Sequence, residues 1–347
     1  MKRSTNFMLL TLYLISLFSG ITSYCYDHAT GEMYTTPIMT IYSALVGIGL
    51  MAYVTFFYRI DYNTTSLPLQ INYVLFAIRI LSLVFTIGYN WCQREEFVCN
   101  LNDLQRTHNN FFSRWPMSEK LQQKFEKTLR LKLHMGYVIL VGTLLTSYES
   151  VKYHFKIDGV LLVIPGMVMC YAINIVMMNY YICIASMNVM LLAINEEMEK
   201  ILKVCSSLKP WQHSQQIGPG ALITQCCKLS DDVDDLAMSQ HQVYLLGNRI
   251  NRMFDIQTAC VMLMVYLTNV AAFYMSIPTA QKNQLIIAHY SGWIMTIAPI
   301  FMAIYYVDLA IFMRGMFAFR DLCHQAGEML RESAAYWPAM DIRLEES

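Results

Sequence analysis

Charged residues are scarce in this chain. Asp, Glu, Lys and Arg make up 14% of its 347 residues, whereas soluble globular proteins average about 25%. The 25 basic and 25 acidic residues balance, which excludes a nucleic-acid binder that works through bulk positive charge. With 56% hydrophobic residues, the chain has too little polar surface for a soluble globule and too much apolar surface for a disordered protein.

Signatures of the common enzyme classes are also missing. The chain contains no HExxH, GxSxG, Walker A or GxGxxG segment, and these would mark zinc proteases, α/β hydrolases and nucleotide-binding enzymes. Cys226 and Cys227 are adjacent but have no further ligands at metal spacing. We therefore predict no enzyme activity, no cofactor and no metal site.

One short acidic segment keeps an enzyme alternative open. Residues Asp231–Asp235 read DDVDD and match the DDxxD pattern of prenyl-diphosphate enzymes, in which paired carboxylates hold Mg²⁺ against a diphosphate. A second acidic motif is missing, and a lone short motif often matches by chance. The aspartates also flank Val233 on an apolar helical stripe. We interpret them as the solvated side of that helix, with an intramembrane prenyl-transferring enzyme as the alternative.

Long apolar runs are the most prominent feature of the sequence. A bilayer core about 30 Å thick needs roughly 20 apolar residues in a helix. None of the runs alternates as barrel strands do, and backbone groups in hydrocarbon must bond within their segment, which predicts helices. The runs without a charged residue are Phe7–Tyr26, Met33–Tyr58, Leu133–Tyr148, Gly159–Asn195, Ile256–Gln281 and Asn283–Val307, and Tyr62–Gln93 is interrupted only by Arg79. The predicted fold is all-α, a polytopic transmembrane helix bundle with a cytoplasmic helical extension.

The basic residues predict which connections face the cytoplasm. The segment 92–132 carries eight Lys and Arg, 196–255 carries six and the tail after Val307 carries four, while the other connections are nearly bare. The positive-inside rule places these three segments in the cytoplasm. The predicted division is a first membrane segment in 1–32, membrane helices in 33–91, a cytoplasmic basic loop in 92–132, membrane helices in 133–195, a cytoplasmic helical hairpin in 196–255, membrane helices in 256–313 and a cytoplasmic tail in 314–347.

The first apolar stretch has three open interpretations. If Phe7–Tyr26 crossed fully from a cytoplasmic start, both basic loops would lie outside. The stretch therefore re-enters, is a cleaved signal peptide, or spans with a translocated N-terminus. We favour a re-entrant segment followed by six spans. The same topology places the sequon Asn63-Thr64-Thr65 outside, where Asn63 is glycosylated unless it lies too near the membrane.

An apolar stripe follows one face of the segment 221–255. Its members recur in steps of three and four residues, as on a helix: Leu222, Cys226, Leu229, Val233, Leu236, Gln240, Val243, Gly247, Ile250 and Phe254. The segment runs without a strong breaker into the next apolar run, and Pro210 through Gly220 separates it from a helix in 196–208. Two interpretations stay open: the stripe packs within its own chain, or it joins copies of the chain into an oligomer.

Polar residues inside the membrane are the candidates for ligand binding. A charge at mid-membrane costs roughly 2.5–3.5 kcal/mol on insertion scales, so Arg79 either lines a ligand or ion cavity or tethers a neighbouring helix. Aromatic and polar groups in the predicted outer halves of the helices suit a pocket for a small amphipathic molecule, or else form an interfacial belt. For His289 a structural role is the default interpretation. The pocket candidates are Tyr171, Tyr266, Asn269, Trp293 and His289.

The chain resembles the insect gustatory receptor family over most of its length. An apolar stretch ends in Tyr24-Cys25-Tyr26-Asp27, the aromatic–x–aromatic–Asp that such receptors commonly show. Further matches are the segment 223–237, which reads ITQCCKLSDDVDDLA and continues through NRINRMFDIQ at 248–257, and the segment MDIRLEES at 340–347.

The resemblance implies a receptor for small-molecule tastants in the plasma membrane of sensory neurons, which mediates acceptance or avoidance. It implies a tetrameric ligand-gated cation channel, as a homo- or hetero-oligomer with related subunits among membrane lipids. It also implies a re-entrant first segment and a ligand pocket between the outer halves of the helices. Family members continue past a segment like Arg343-Leu344-Glu345 into a final pore-lining helix, whereas this sequence stops at Ser347, so no pore residue is assigned.

A G-protein-coupled receptor is the alternative receptor class. The chain lacks the DRY and NPxxY motifs, and the predicted outer connections contain none of its ten cysteines, so they cannot form a disulfide that caps the outer face. The predicted orientation in the membrane is also opposite. The gustatory type is therefore the first hypothesis.

Overall fold

The computed structural model of the chain describes residues 3–27, 31–57, 67–153, 157–208, 219–280 and 292–335. Within these residues the chain forms eight helices and one two-stranded antiparallel ribbon. In chain order these are α1 (Arg3–Phe18), β1 (Cys25–Tyr26), β2 (Met33–Tyr34), α2 (Pro37–Phe57), α3 (Leu67–Cys92), α4 (Arg94–Arg114), α5 (Glu119–Tyr153), α6 (Ile157–Leu208), α7 (Pro219–Ala280) and α8 (Gly292–Ala335). The predicted all-α fold class is confirmed.

The last three helices are much longer than a bilayer core. α6, α7 and α8 have 52, 62 and 44 residues. At about 1.5 Å per residue each is at least twice as long as a ~30 Å hydrocarbon layer, so each continues beyond it. α7 runs unbroken from Pro219 to Ala280, which confirms the prediction that the segment 221–255 joins the next apolar run without a break.

Three helical stretches among the described residues are long and apolar enough to cross a membrane: Glu119–Leu145, Cys170–Ser207 and Ile300–Glu332. Shorter apolar helices cover Ser4–Phe18, Pro37–Ala52 and Ala77–Tyr89. α1 has 16 residues, or about 24 Å, which is shorter than a hydrocarbon core and suits the predicted re-entrant segment. The number of spans and their sidedness stay predictions.

The basic segment 92–132 is largely helical. It contains α4 and the start of α5. Ser118 caps α5, because its Oγ accepts a hydrogen bond from the Leu121 amide at 3.3 Å and so satisfies a donor left over at the helix N-terminus. The sequence prediction includes no helix here. The missed signal is the helical spacing of Val98, Leu101 and Leu104, which are buried.

The chain divides into two units. Unit 1 comprises Met1–Asn102, Thr128–Tyr181 and Asn251–Phe312. In this unit the turn after α1 is held by a side chain of α2, since Ser43 Oγ donates to the Gly20 carbonyl at 2.6 Å. Gly20 has a φ of 70°, in the left-handed region that favours glycine. This conformation lets the chain leave α1 towards β1.

A buried aromatic cluster forms part of the core of unit 1. The Tyr180 ring stacks on Phe254 with centroids 4.4 Å apart and lies 5.5 Å from the Phe312 centroid. The Tyr180 hydroxyl donates to Asn251 Oδ1 at 2.9 Å. Such pairs add to the free energy of burial, so the cluster holds α6, α7 and α8 together within this unit.

Unit 2 comprises Asp103–Lys127, Ile182–Ile250 and Met313–Ser347. Its core contains the predicted stripe of α7: Leu236, Val243 and Ile250 are fully buried. Gln240, a polar member of the stripe, donates to the Cys323 carbonyl of α8 at 2.8 Å. Of the two interpretations left open, packing of the stripe within its own chain is therefore the one that the structure contains.

Candidate functional site

Two opposite charges meet inside unit 1. Lys132 on α5 and Asp308 on α8 are 176 residues apart in sequence, and Lys132 Nζ lies 2.7 Å from Asp308 Oδ2. Their side chains are only 3% and 11% exposed. The ammonium also lies 5.6 Å from the ring centroids of Tyr181 and Phe312, within reach of cation–π attraction. The pair is a desolvated, charge-assisted hydrogen bond.

Each member of the pair needs the other. An uncompensated charge in a low-dielectric interior is costly, and a buried pair repays that cost only when its geometry is good. Asp308 Oδ1 is buried and has no hydrogen-bond partner among the described residues. The carboxylate therefore keeps one oxygen available to a further donor.

A cavity of about 180 Å³ adjoins the ion pair within unit 1. Lys132 and Asp308 form part of its wall together with Arg79 of α3. Aromatic, sulfur and aliphatic side chains make up most of the remaining wall, among them Met177, Met264, Phe301 and Tyr305. Apolar walls with a few fixed polar groups are typical of sites for small molecules, and methionine adapts its shape to what it contacts. We call this space the Arg79 cavity.

Arg79 is the charged residue that the sequence predicts to lie inside the membrane. The structure places it on the cavity wall, half-buried. In the described part of the chain no hydrogen bond joins it to a neighbouring helix, although its charge interacts with Tyr305 of α8, and the tethering interpretation also stays open. Its role in ligand binding stays a prediction.

Tyr171 lines a different cavity of unit 1. This second cavity has a volume of about 430 Å³ and is walled mainly by aliphatic side chains of α1, α2, α3, α5 and α6. The Tyr171 hydroxyl donates to the Leu140 carbonyl at 2.9 Å. Other hydroxyl groups on its wall, those of Ser19, Ser43 and Thr86, also donate to backbone carbonyls. The second cavity therefore presents apolar surface and few available donors.

The described part of the structure brings no other predicted pocket residue to the Arg79 cavity. Tyr266 on α7 is 64% exposed, and Asn269 is exposed as well. His289 and the glycosylation candidate Asn63 lie outside the described residues, as does the side chain of Trp293. The roles assigned to these residues from the sequence stay predictions.

Lys132 and Asp308 are the site residues that sequence reasoning missed. From the sequence, Lys132 is interpreted only as the last basic residue of the segment 92–132. Asp308 is interpreted only as the residue that ends an apolar run. A signal for Asp308 does exist, because five apolar residues follow it at 309–313. An acidic residue inside an apolar helix requires a partner, although no local pattern says which residue that partner is.

The acidic segment Asp231–Asp235 lies on α7 in unit 2. Asp231 and Asp234 are exposed, and Asp235 forms an ion pair with Arg114 of α4. Within the described ranges, no group of three or more His, Cys, Asp or Glu is arranged to hold a metal. The geometry fits the interpretation of these aspartates as the solvated side of a helix.

Known proteins resemble the chain over almost its full length. The family model described as 7tm Chemosensory receptor matches residues 9–347. Among curated proteins of Drosophila melanogaster, one named as gustatory receptor 36c is 22% identical, over 99% of this chain and 86% of its own length. Those named as gustatory receptors 59d and 36b are 21% and 20% identical, over 96% and 98% of this chain and 84% and 85% of their own lengths.

Proposed function

This chain belongs to the 7tm chemosensory receptor family, and we propose that it is a gustatory receptor that detects a small-molecule tastant and gates a cation current. It acts at the plasma membrane of sensory neurons, where its activation leads to acceptance or avoidance of a food source. It works as a subunit of an oligomer, built from copies of this chain or with related receptor subunits. As a member of a receptor family it is not an enzyme, so prenyl transfer by the DDVDD segment is not favoured.

The Arg79 cavity is the observation that supports this proposal most directly. It lies among apolar helices and combines charged groups with the aromatic and sulfur side chains of Phe301, Tyr305 and Met264. Charged residues within transmembrane segments are rare and usually mark sites of function. A small amphipathic molecule finds both apolar contact and fixed polar groups there.

Two substitutions in the cavity wall and one outside it test the proposal. The chain is expressed in cultured cells with a fluorescent calcium reporter, and sucrose, quinine, caffeine and benzoate are applied in turn. For the compound that evokes a response, Phe301→Ala and Met264→Ala should raise the half-maximal concentration at least about tenfold, equivalent to ~1.4 kcal/mol of binding free energy. Val307→Ala, on the same helix as Phe301 but 50% exposed, should leave it unchanged.

The amount of each variant at the cell surface is measured in parallel, so that loss of response is separated from loss of protein. Equal loss of sensitivity in the Val307 and Phe301 variants at equal surface amounts would contradict a ligand site in this cavity. A response that none of the substitutions alters would place the ligand elsewhere.

Exposed apolar side chains on α7 support the oligomer. Met238 and Leu245 are 62% and 48% exposed, and residues seven apart lie on nearly the same face of a helix. Exposed apolar patches on parts of a protein that meet water mark interaction sites. The stripe containing Leu236 is buried within the chain, whereas this exposed face is available to a second subunit.

Native mass spectrometry of the detergent-purified chain tests the interface. Wild-type protein should be oligomeric, and Met238→Glu combined with Leu245→Glu should shift it towards the monomer. A matched double substitution of exposed polar residues on α5, Gln122→Glu with Gln123→Glu, should preserve the wild-type mass. An unaltered oligomer in the Met238/Leu245 variant would exclude this face.

A further inference from the structure

The charges on the wall of the Arg79 cavity do not balance. Its charged residues among those described are Arg79, Lys132 and Asp308, so two positive charges face one negative charge and the formal sum is +1. A charge in a site walled largely by apolar side chains is costly without compensation. An anion that enters the cavity would supply the negative charge that the described residues of the wall do not.

Lys132 is not the residue that lacks a partner. Its ammonium contacts Asp308 Oδ2 at 2.7 Å and the Asp308 carbonyl at 3.4 Å, and two aromatic rings lie close to it. Asp308 Oδ2 is thus engaged by Lys132, and Oδ1 has no hydrogen-bond partner among the described residues. In that part of the chain no carboxylate, Asp308 included, lies within ion-pair distance of Arg79, which leaves its guanidinium as the surplus cation.

A guanidinium is suited to one particular kind of ligand group. Its planar fork of N–H donors matches the two oxygens of a carboxylate, and the resulting bidentate pair is strong and directional in a desolvated site. The rest of the wall favours an apolar body, because Ile139, Met177, Met264 and Phe301 all line the same space. The volume of about 180 Å³ is close to the ~150 Å³ of a cavity that binds benzene, which restricts the ligand to a small molecule.

We propose that the ligand of the Arg79 cavity is a small organic acid, bound as its carboxylate with Arg79 as the anion partner and with a short aliphatic or single-ring body against the apolar wall. This inference rests on the proposed function and specifies its ligand class. The Lys132–Asp308 pair forms part of the wall and supplies no net charge. Selectivity for the anion over an uncharged molecule of equal shape thus depends on a single residue.

Matched acid and amide pairs test the charge without altering shape. The full-length receptor is purified in detergent, and its thermal unfolding is followed with benzoate or benzamide, and with hexanoate or hexanamide. For at least one pair the acid should stabilise the wild-type protein at a concentration at least about tenfold lower than its amide. Equal potency of acid and amide in both pairs, or no stabilisation by either acid, overturns the inference.

Substitutions of Arg79 assign the selectivity to this residue. In Arg79→Gln the acid should lose its advantage over the amide, while Arg79→Lys, which retains the charge but not the fork, should keep part of it. Arg320→Gln on α8 is the control, since Arg320 is exposed and does not line the cavity. Binding of the amide by Arg79→Gln reports that this variant is folded. An Arg79→Gln variant that still prefers the acid overturns the inference.

The same measurements separate this inference from the proposed function. If sucrose or caffeine evokes a Phe301-dependent response and neither acid binds, the receptor function stands and the acid inference is wrong. If an acid binds in an Arg79-dependent manner but evokes no current with any partner subunit, the binding site stands and the proposed channel function is wrong.

Discussion

At the scale of single residues, Lys132 and Asp308 show how strongly one side chain can affect stability. Removal of one partner leaves the other charge buried and unpaired, and such changes destabilise proteins by about 3–5 kcal/mol. We expect Lys132→Met or Asp308→Asn to lower the free energy of unfolding by that order in detergent, measured by chemical denaturation. The double variant should recover part of the loss, because it removes both charges together.

The control for this prediction is an exposed ion pair. Arg249 and Asp103 lie 3.2 Å apart in unit 2, with side chains 51% and 34% exposed, and exposed pairs contribute little because solvent screens them. Arg249→Met should therefore change stability only slightly. Additive losses in the Lys132/Asp308 double variant would show that the two residues act independently, contrary to the geometry described above.

His108 on α4 makes stability depend on pH. Burial lowers the pKa of His108 below its ordinary value of 6.5, and its ring packs edge-on against Phe112 with centroids 4.7 Å apart. The unfolded chain therefore takes up a proton at higher pH than the folded chain. The stability contributed by neutral His108 is complete above about pH 6.5 and is lost as the pH falls through the lower folded pKa.

The corresponding measurement compares melting temperatures at about pH 7.5 and about pH 5.5. Wild-type protein should lose more stability on acidification than His108→Gln. The control is His241→Gln, because His241 is exposed on α7, and this variant should follow the wild-type profile. A His108→Gln variant as sensitive to acid as the wild type would show that other groups cause the effect.

At the scale of secondary-structure elements, α7 and α8 approach each other closely in unit 2. Gly247 is buried on α7, and a methyl group added to it would overlap the ring of Phe319 on α8. Alanine gains up to about 1 kcal/mol over glycine in helix propensity, but overpacking of a core typically costs 1–3 kcal/mol. Because an aromatic ring cannot yield locally as a flexible side chain can, we expect Gly247→Ala to destabilise the protein.

A second glycine on these helices provides the comparison. Gly327 on α8 has no neighbouring atom within 4 Å of an added methyl group, so Gly327→Ala should be neutral or stabilising by up to about 1 kcal/mol. Chemical denaturation of both variants measures the difference. Recovery of stability when Phe319→Leu is added to Gly247→Ala would identify the ring as the cause. Equal effects of the two alanine substitutions would contradict close packing at Gly247.

At the scale of the whole molecule, the sequence predicts which segments face the cytoplasm and which face the outside. The basic segments 92–132 and 196–255 are predicted to face the cytoplasm, and Asn63 to face the outside. Treatment with a glycosidase should therefore lower the apparent mass of the wild-type chain and leave Asn63→Gln unchanged. Acceptor sites engineered into either basic segment of Asn63→Gln should stay unmodified. A sugar attached within 92–132 would reverse the predicted orientation.

Much of the fold follows from local patterns in the sequence. Apolar runs and helical spacing identify membrane helices and the buried stripe around Leu236, because both depend on residues a few positions apart. The prediction contains no α4, although the buried residues of α4 have the same spacing, because the interpretation of this segment rests on its charges alone. The residues of the candidate site follow less completely from the sequence. Of the predicted pocket residues, Arg79 lies on the wall of the Arg79 cavity, whereas Tyr171 lines the second cavity and Tyr266 is exposed.

Composition and periodicity are therefore sufficient to recognise a helical membrane protein, and the segments that resemble gustatory receptors are sufficient to recognise the receptor family to which it belongs. Folding alone decided that Lys132 meets Asp308 and that Arg79 shares a cavity with them. The physical reason is distance along the chain. Helix formation and burial are driven by neighbouring residues, whereas the charge balance of a cavity depends on which faces of separate helices come together, and 176 residues separate the two members of the pair.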